Sequence, residues 1–215
     1  MAFAGIAPGA KVADFMPGTG YYSRILCTLV GESGHVYAIS IASGAASTGE
    51  PLAPACANVT SIELRAAKRP APELWSSSDD PGVVYEYWSF TPAAELFAAP
   101  EPLDAIWLAE RYHELRSANL GSPNQRLVNR ALWSALKSGG VLLIEDYVAE
   151  RRSADHAAAS VHRIDPEQVK RELVAAGFEF VGASKVLRRR DDPRTANAHA
   201  SNDAADRFLL KFRKR

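Results

Sequence analysis

The chain has 215 residues, enough for one domain spanning 1–215 and too few for two domains of ordinary size. Its hydrophobic fraction of 47% and charged fraction of 23% are typical of a globular protein and exclude a disordered or fibrous chain. The 25 basic and 25 acidic residues give a net charge of zero, which removes the electrostatic argument for a nucleic-acid partner or an anionic membrane surface.

The two cysteines, Cys27 and Cys56, are too few for a disulfide framework or a metal knuckle, and Cys27 is interpreted as a small core residue. The sequence contains no run of about 18 apolar residues, the length that would predict a membrane span. The first residues also lack the basic start of a secretory signal. We therefore expect a cytoplasmic protein with no membrane partner.

The beginning of the chain predicts a strand–turn–helix–strand unit. Lys11–Phe15 is a short apolar run, and residues 35–41 form a second one. Between them, apolar residues recur at helical spacing over Tyr21–Val30, and Gly31 ends this helix. Residues 42–82 are less clear, since a helix over 54–67 and a strand over 59–64 both fit.

Further strands are predicted at 83–88, Leu103–Ala109 and 141–144, with a helix over 124–137. The best-marked helix follows Asp165, a natural N-cap, with Pro166 in its first turn, Gln168 completing a capping box and Gly177 after its end. Two final strands are predicted, Phe178–Ser184 and 208–212. This order predicts an α/β fold with seven mostly parallel strands and an antiparallel pair at the end of the sheet.

The turn at residues 14–20, Asp-Phe-Met-Pro-Gly-Thr-Gly, is the first candidate ligand site. Gly18 and Gly20 lack a Cβ atom, so a ligand can approach the backbone there. The helix that begins at Tyr21 directs free N–H groups to the same place. A Gly-x-Gly pair also occurs in purely structural turns, so this segment alone leaves both interpretations open.

A family resemblance is carried by nine segments in chain order: FAGIAPGAKV at 3–12, PGTGYYS at 17–23, GHVYA at 34–38, LDAIW at 103–107, YHEL at 112–115, KSGGV at 137–141, HRID at 162–165, AGF at 176–178 and DRF at 206–208. With these, the chain resembles the class I S-adenosylmethionine-dependent methyltransferases, within them a bacterial group of uncharacterised predicted methyltransferases. The resemblance covers nearly the whole chain except 42–82. It implies a Rossmann-like fold with helices on both faces of the sheet, and S-adenosylmethionine as cofactor.

The resemblance also implies a set of cofactor-binding residues: Asp14, Met16, Gly18, Gly20, Tyr21, Ser40, Trp88 and Ser89. The last two follow from placing the adenine near the end of the third strand, taken as 83–88. The chain departs from the family at two of these positions. Met16 replaces the usual first glycine of the turn. Ser40 stands near the end of the second strand, where the family has an acid that holds the ribose hydroxyls. Losing that charge-assisted pair should cost about 1–3 kcal/mol of cofactor affinity.

On the acceptor side, the resemblance directs attention to the loop after the fourth strand. There His113 is predicted to act as a general base near neutral pH, and Tyr112 to orient an acceptor oxygen. A histidine in a polar loop is also commonly a solvated surface group, and this alternative stays open.

Three more residues near the predicted site have competing interpretations. In a metal-assisted subgroup of O-methyltransferases, an acid at the place of Asp146 helps to bind a divalent cation, and Glu110 would be its nearest partner here. Two acids on neighbouring strand ends are common without a metal, so we predict no metal site. His162, just before the capped helix, either covers the acceptor or packs at the helix entry.

The sequence therefore predicts S-adenosylmethionine-dependent methyl transfer to a small or medium organic acceptor, with oxygen as the acceptor atom. We expect a small-molecule substrate as the partner and no nucleic acid. The sequence is also compatible with a homodimer. The alternative is a methyltransferase-like protein without methylation activity, either a binding or partner subunit or a cyclase-type enzyme of specialised metabolism. Ser40 in place of an acid motivates that alternative.

Overall fold

The computed structural model describes residues 2–42, 56–65, 99–116, 125–151, 156–201 and 204–215. Its strands are β1 Lys11–Phe15, β2 His35–Ala42, β3 Val59–Arg65, β4 Leu103–Ala109, β5 Leu136–Tyr147, β6 Phe178–Ser184 and β7 Arg207–Lys214. Its helices are α1 Tyr21–Val30, α2 Gln125–Ala135, α3 His156–Val161 and α4 Pro166–Ala175. Among the described residues, no helix is both long and apolar enough to cross a membrane.

The seven strands form a single sheet in the order β3-β2-β1-β4-β5-β7-β6. Neighbouring strands run parallel from β3 to β5, and β7 runs antiparallel to both β5 and β6. The chain builds outward from β1 to β3 and then returns to the other side of β1 as β4. This reversal places the ends of β1 and β4 side by side, at the switch point where open α/β sheets bind ligands. The predicted Rossmann-like architecture is confirmed.

Alternating side chains bury both faces of the sheet. In β1, Val12 packs on the face that α1 covers, together with Leu26 and Val30. Phe15 lies on the opposite face, which Leu132 of α2 and other apolar residues of α2 and α4 cover. Because successive side chains of a strand point to opposite faces, this double burial explains why the central strands are nearly continuous apolar runs.

The structure decides the ambiguous segment in favour of a strand. β3 spans Val59–Arg65, where half-buried Val59, Ile62 and Leu64 stand among exposed polar residues, a pattern that suits an edge strand. The third strand of the sheet is therefore not 83–88, as the sequence predicted. Residues 83–88, with Trp88, and Ser89 beside them lie outside the described residues.

Two element boundaries also differ from the prediction. The helix predicted over 124–137 ends at Ala135, and β5 begins at once with Leu136 and runs through the Gly139-Gly140 pair. The capped helix α4 is confirmed, with the Asp165 carboxylate accepting a hydrogen bond from the N–H of Glu167 at 2.9 Å.

The two cysteines are joined. Cys27 of α1 and Cys56 form a disulfide with their Cα atoms 6.5 Å apart, so the prediction that treated Cys27 only as a small core residue is corrected. Cys27 is buried as expected, but it also fastens α1 to the segment that leads into β3. The separation of 29 residues carries no sequence signal for this pairing.

Candidate functional site

The glycine turn after β1 has three residues in the left-handed region. Met16, Gly18 and Gly20 have φ angles of 56°, 55° and 75°. The N–H of Met16 donates to the carbonyl of Ile39 in β2 at 2.7 Å, which anchors the turn to the sheet. A left-handed backbone at position 16 explains why glycine is usual there. Gly20 is the N-cap of α1 and supplies no side-chain cap, so the helix begins with its backbone N–H groups at the turn.

Asp14 lies beneath the first turn of α1. Its carboxylate accepts a hydrogen bond of 2.6 Å from the hydroxyl of Ser23, and the side chain is almost fully buried. Burial raises the pKa of Asp14 from 3.8 to about 6, although the hydrogen bonds from Ser23 act in the opposite direction. The sequence thus places an ionisable carboxyl beside the candidate ligand turn.

The two tyrosines at the start of α1 have different surroundings. Tyr22 packs against Trp107, with ring centroids 5.0 Å apart, and its hydroxyl donates to the buried carboxylate of Glu145 at 2.5 Å. Burial, together with the Glu145 charge, raises the pKa of Tyr22. Tyr21 is 58% exposed, beside the glycine turn. Its contact with a cofactor stays a prediction.

The hydroxyl of Ser40, near the end of β2, donates a long hydrogen bond of 3.4 Å to the carbonyl of Ile62. The register partner of Ser40 on β3 is Glu63. Paired residues on neighbouring parallel strands project on the same face, so Glu63 supplies an exposed carboxyl beside Ser40, the position at which the resembled family has an acid. Sequence reasoning missed Glu63 because the identity of the third strand was wrong.

The loop after β4 reaches the glycine turn. A guanidinium nitrogen of Arg111 lies 3.7 Å from the place where a Cβ atom on Gly18 would be. Arg111 also pairs with the carboxylate of Glu114, three residues further along the same loop. The loop that carries the predicted catalytic residues is therefore in contact with the predicted cofactor turn.

Glu110 belongs to a separate ion-pair cluster. Arg207 of β7 lies 2.9 Å from a carboxylate oxygen of Glu110 and 3.0 Å from one of Glu145. Burial raises the pKa of Glu145, although the hydrogen bond from Tyr22 and the Arg207 charge oppose it. The structure therefore pairs Glu110 with Arg207, whereas the metal site considered from the sequence would pair Glu110 with Asp146.

His113 is fully buried, so the alternative of a solvated surface histidine is wrong. Its Nδ1 lies 2.8 Å from one carboxylate oxygen of Asp146, and its backbone N–H donates to the other at 2.9 Å. Burial of the ring lowers its pKa, but the charge and hydrogen bond of Asp146 together outweigh burial, so the pKa of His113 is raised. The two contacts from Asp146 hold the ring in one orientation.

Tyr112 is also fully buried, and its hydroxyl lies among helix residues. The oxygen is 3.0 Å from the side-chain oxygen of Asn129 and 3.1 Å from a carboxylate oxygen of Glu172. Burial raises the pKa of this phenol well above its ordinary value, and the Glu172 charge adds to the effect. The hydroxyl thus has partners within the protein, and its part in orienting an acceptor stays a prediction.

Three histidines from distant segments of the chain lie together near the ends of β4 and β5. Nε2 of His113 lies 3.3 Å from Nδ1 of His162, and the ring of His199 stacks on that of His162 with centroids 4.4 Å apart. His162 has a φ of 54°, a left-handed conformation that is uncommon outside glycine. Burial and the nearby His162 and His113 lower the pKa of His199. Together with Glu114, these side chains offer four ligand atoms within 4.8 Å of one another.

Little in the sequence signals this histidine cluster. His162 was considered either to cover the acceptor or to pack at the helix entry, and His199 was not singled out. Arg163, next to His162, is fully buried and pairs with Asp192 at 2.7 Å. Histidines 49 and 37 residues apart along the chain form no spacing motif, and only the fold brings them together.

No protein-family model matches the chain, and no curated protein matches it by sequence. Solved structures do match in fold. The chain is similar to a SAM-dependent methyltransferase from Aquifex aeolicus, with a TM-score of 0.58, 17% identity, and 98% of this chain and 85% of the other covered.

Two further structures widen the comparison. A protein from Galdieria sulphuraria that is assigned as a sarcosine dimethylglycine methyltransferase matches with a TM-score of 0.55 and 14% identity. The match covers 99% of this chain and 82% of the other. The [4+2]-cyclase SpnF matches with a TM-score of 0.55, 16% identity, and 98% and 76% covered. At these identities the likeness shows the fold alone, that of the class I S-adenosylmethionine-dependent methyltransferases.

Proposed function

We propose that this protein binds S-adenosylmethionine over residues 16–20 and transfers its methyl group to a small or medium organic acceptor. The observation that carries the proposal is the glycine turn itself. Met16, Gly18 and Gly20 hold a left-handed backbone at the end of β1, at the switch point of the sheet and at the uncapped start of α1. Such a turn lets a ligand approach the backbone closely, because Gly18 and Gly20 have no side chains of their own.

On the cofactor side, Asp14 and Glu63 supply the two carboxyls that a cationic, hydroxyl-bearing cofactor needs. Asp14 is proposed to meet the amino group of the methionine part, with Tyr21 beside it. Glu63, next to Ser40 across the β2–β3 register, is proposed to hold the ribose hydroxyls in place of the family's acid at the end of β2. A carboxylate can accept a charge-assisted hydrogen bond from each ribose hydroxyl, whereas the neutral hydroxyl of Ser40 cannot make a charge-assisted pair.

On the acceptor side, the loop after β4 provides the chemistry. Methyl transfer from a sulfonium requires an in-line arrangement of nucleophile, methyl carbon and sulfur, and removal of one proton from a hydroxyl acceptor. We propose oxygen as the acceptor atom and His113 as the group that takes this proton. The support is the orientation of its ring by Asp146 and the contact of its loop with Gly18.

Isothermal titration calorimetry with S-adenosylmethionine and its demethylated product tests the cofactor proposal. The variant Gly18→Asp should lose binding, because its side chain adds bulk and negative charge and φ is 55° there. Gly182→Asp is the matched control, since a Cβ atom at Gly182 of β6 meets nothing within 4 Å. Absence of binding up to millimolar cofactor, or equal binding by Gly18→Asp, overturns the proposal.

A second candidate keeps the cofactor but not the methylation. Ser40 in place of an acid favours a protein that has lost the reaction, either a partner subunit or a cyclase-type enzyme. Mass spectrometry of acceptor mixtures incubated with S-adenosylmethionine separates the two candidates, because only methyl transfer adds one methyl group to a product and releases the demethylated cofactor.

A further inference from the structure

We propose that His113, His162 and His199, with the carboxylate of Glu114, form a binding site for one zinc ion. This site lies beyond the proposed cofactor turn and does not depend on cofactor binding. It draws its ligands from three separate places, the loop after β4, the residue after α3, and a short 3-10 turn at Ala198–Ser201 between β6 and β7.

The spacing of the imidazole nitrogens suits a tetrahedral ion. Zinc binds histidine nitrogen at about 2.0–2.1 Å, so two ligands of a tetrahedral site lie about 3.3–3.4 Å apart. Nε2 of His113 and Nδ1 of His162 are 3.3 Å apart. The remaining ligand atoms lie within 4.8 Å of these two, and His199 is exposed, so a small movement of its ring completes the set.

Asp146 gives His113 the environment of a metal ligand. A histidine that binds metal through one ring nitrogen almost always donates a hydrogen bond from the other to a carboxylate or carbonyl. Nδ1 of His113 lies 2.8 Å from Asp146, so a neutral ring carries its proton there and presents the lone pair of Nε2 to His162. The side chain of His113 is fully buried, and this arrangement orients its Nε2 toward the centre of the cluster.

The donor set selects the class of metal. Imidazole nitrogen suits zinc and its neighbours among the transition metals, whereas magnesium and calcium prefer sites built from oxygen. The carboxylates of Glu114 and Asp146 offset the two positive charges of the ion. Arg111 pairs with Glu114 and also lies next to Gly18, so its side chain would connect the metal site to the cofactor turn.

A bound zinc would change the role of His113. Its Nε2 cannot both bind the metal and take an acceptor proton, so the zinc site and the general-base role exclude each other. With three histidines and Glu114 as ligands, a tetrahedral ion would have no open coordination position, so its role would be to hold the three segments together.

The test uses the full chain without a polyhistidine tag, stripped of metal by a chelator and titrated with zinc in the absence of S-adenosylmethionine. We expect one zinc per chain, and cobalt in its place should give the visible absorption of a tetrahedral site. His199→Ala removes an exposed ligand, so the variant should fold. Its zinc affinity should fall more than tenfold, at least as much as loss of an outer-shell partner typically costs.

The matched control is His35→Ala. His35 begins β2 at the amino ends of the parallel strands, away from the carboxyl ends of β4 and β5, and its ring nitrogen lies 2.8 Å from the hydroxyl of Thr60, so zinc affinity should not change. A second variant, Asp146→Asn, should weaken binding about 10- to 100-fold. The proposal is overturned if the wild-type chain takes up no stoichiometric zinc, or if His199→Ala binds within tenfold of wild type. Cofactor calorimetry is a separate readout, so failure here leaves the proposed methyl transfer standing.

Discussion

Replacing Asp14 with asparagine should change how stability depends on pH. The folded chain holds the Asp14 proton more tightly than the unfolded chain, because burial raises the pKa from 3.8 to about 6. The free energy of unfolding therefore falls as pH rises from about 4 to about 6. A tenfold change in an ionisation constant is worth about 1.4 kcal/mol, so the full effect is about 3 kcal/mol, of which about 2 kcal/mol falls between pH 4.5 and 8.

Urea unfolding of the wild type and Asp14→Asn across pH 4.5–8 measures this difference. The wild type should lose about 2 kcal/mol relative to the variant over the range, while the amide oxygen of asparagine can still accept the hydrogen bond from Ser23. Asp104→Asn is the control. Although burial opposes it, the pKa of Asp104 is lowered by hydrogen bonds from Lys11 and Lys137, so its difference should stay flat above pH 4.5. A flat difference for Asp14→Asn as well would refute the argument.

Three further predictions concern cofactor, catalysis and covalent structure. Glu63→Gln should weaken S-adenosylmethionine binding about tenfold or more by calorimetry, because a charge-assisted bond is lost, and unchanged affinity would exclude Glu63 from the ribose site. In metal-free protein, His113→Ala should lower turnover about 10²- to 10⁴-fold with little change in cofactor affinity, and turnover within threefold of the parent would exclude the base role. Replacing Cys27 and Cys56 with serine together should lower the free energy of unfolding by about 3–4 kcal/mol under oxidising conditions. The same replacement should have little effect in a strong reductant, and an equal effect in both conditions would mean that the disulfide is not the cause.

Sequence patterns predicted the parts of the fold that local chemistry determines. The apolar spacing of Tyr21–Val30 and the cap at Asp165 each specify their helix within a few residues, so both were found. β3 was ambiguous because an edge strand buries only part of one face and shows weak periodicity. The adenine contact predicted at Trp88 and Ser89 was placed from the mistaken third-strand assignment and lies outside the described residues. The same assignment hid the pairing of Ser40 with Glu63.

The candidate site was predictable only where its residues are close in sequence. Gly18 and Gly20 mark a candidate turn, the family-like segments favour a ligand site there, and the segment around His113 draws attention to the loop after β4. Asp146, the partner of His113, was considered only as a metal ligand beside Glu110, in a site that the sequence analysis did not predict, and its contact with His113 was not foreseen. That pairing depends on which side chains turn toward each other at the ends of β4 and β5, and no linear pattern contains this information.

The position of β7 has a consequence for how this protein is made. β7 fills the gap between β5 and β6 and hydrogen-bonds to both, yet it follows them along the chain. At the usual rate of about 5–20 residues per second, a ribosome needs several seconds to travel from the end of β5 to β7. During that interval each of the two earlier strands has an edge of unpaired backbone groups, which invites association with other chains. The nascent protein is therefore most in need of chaperone protection after β6 and before β7 has been synthesised.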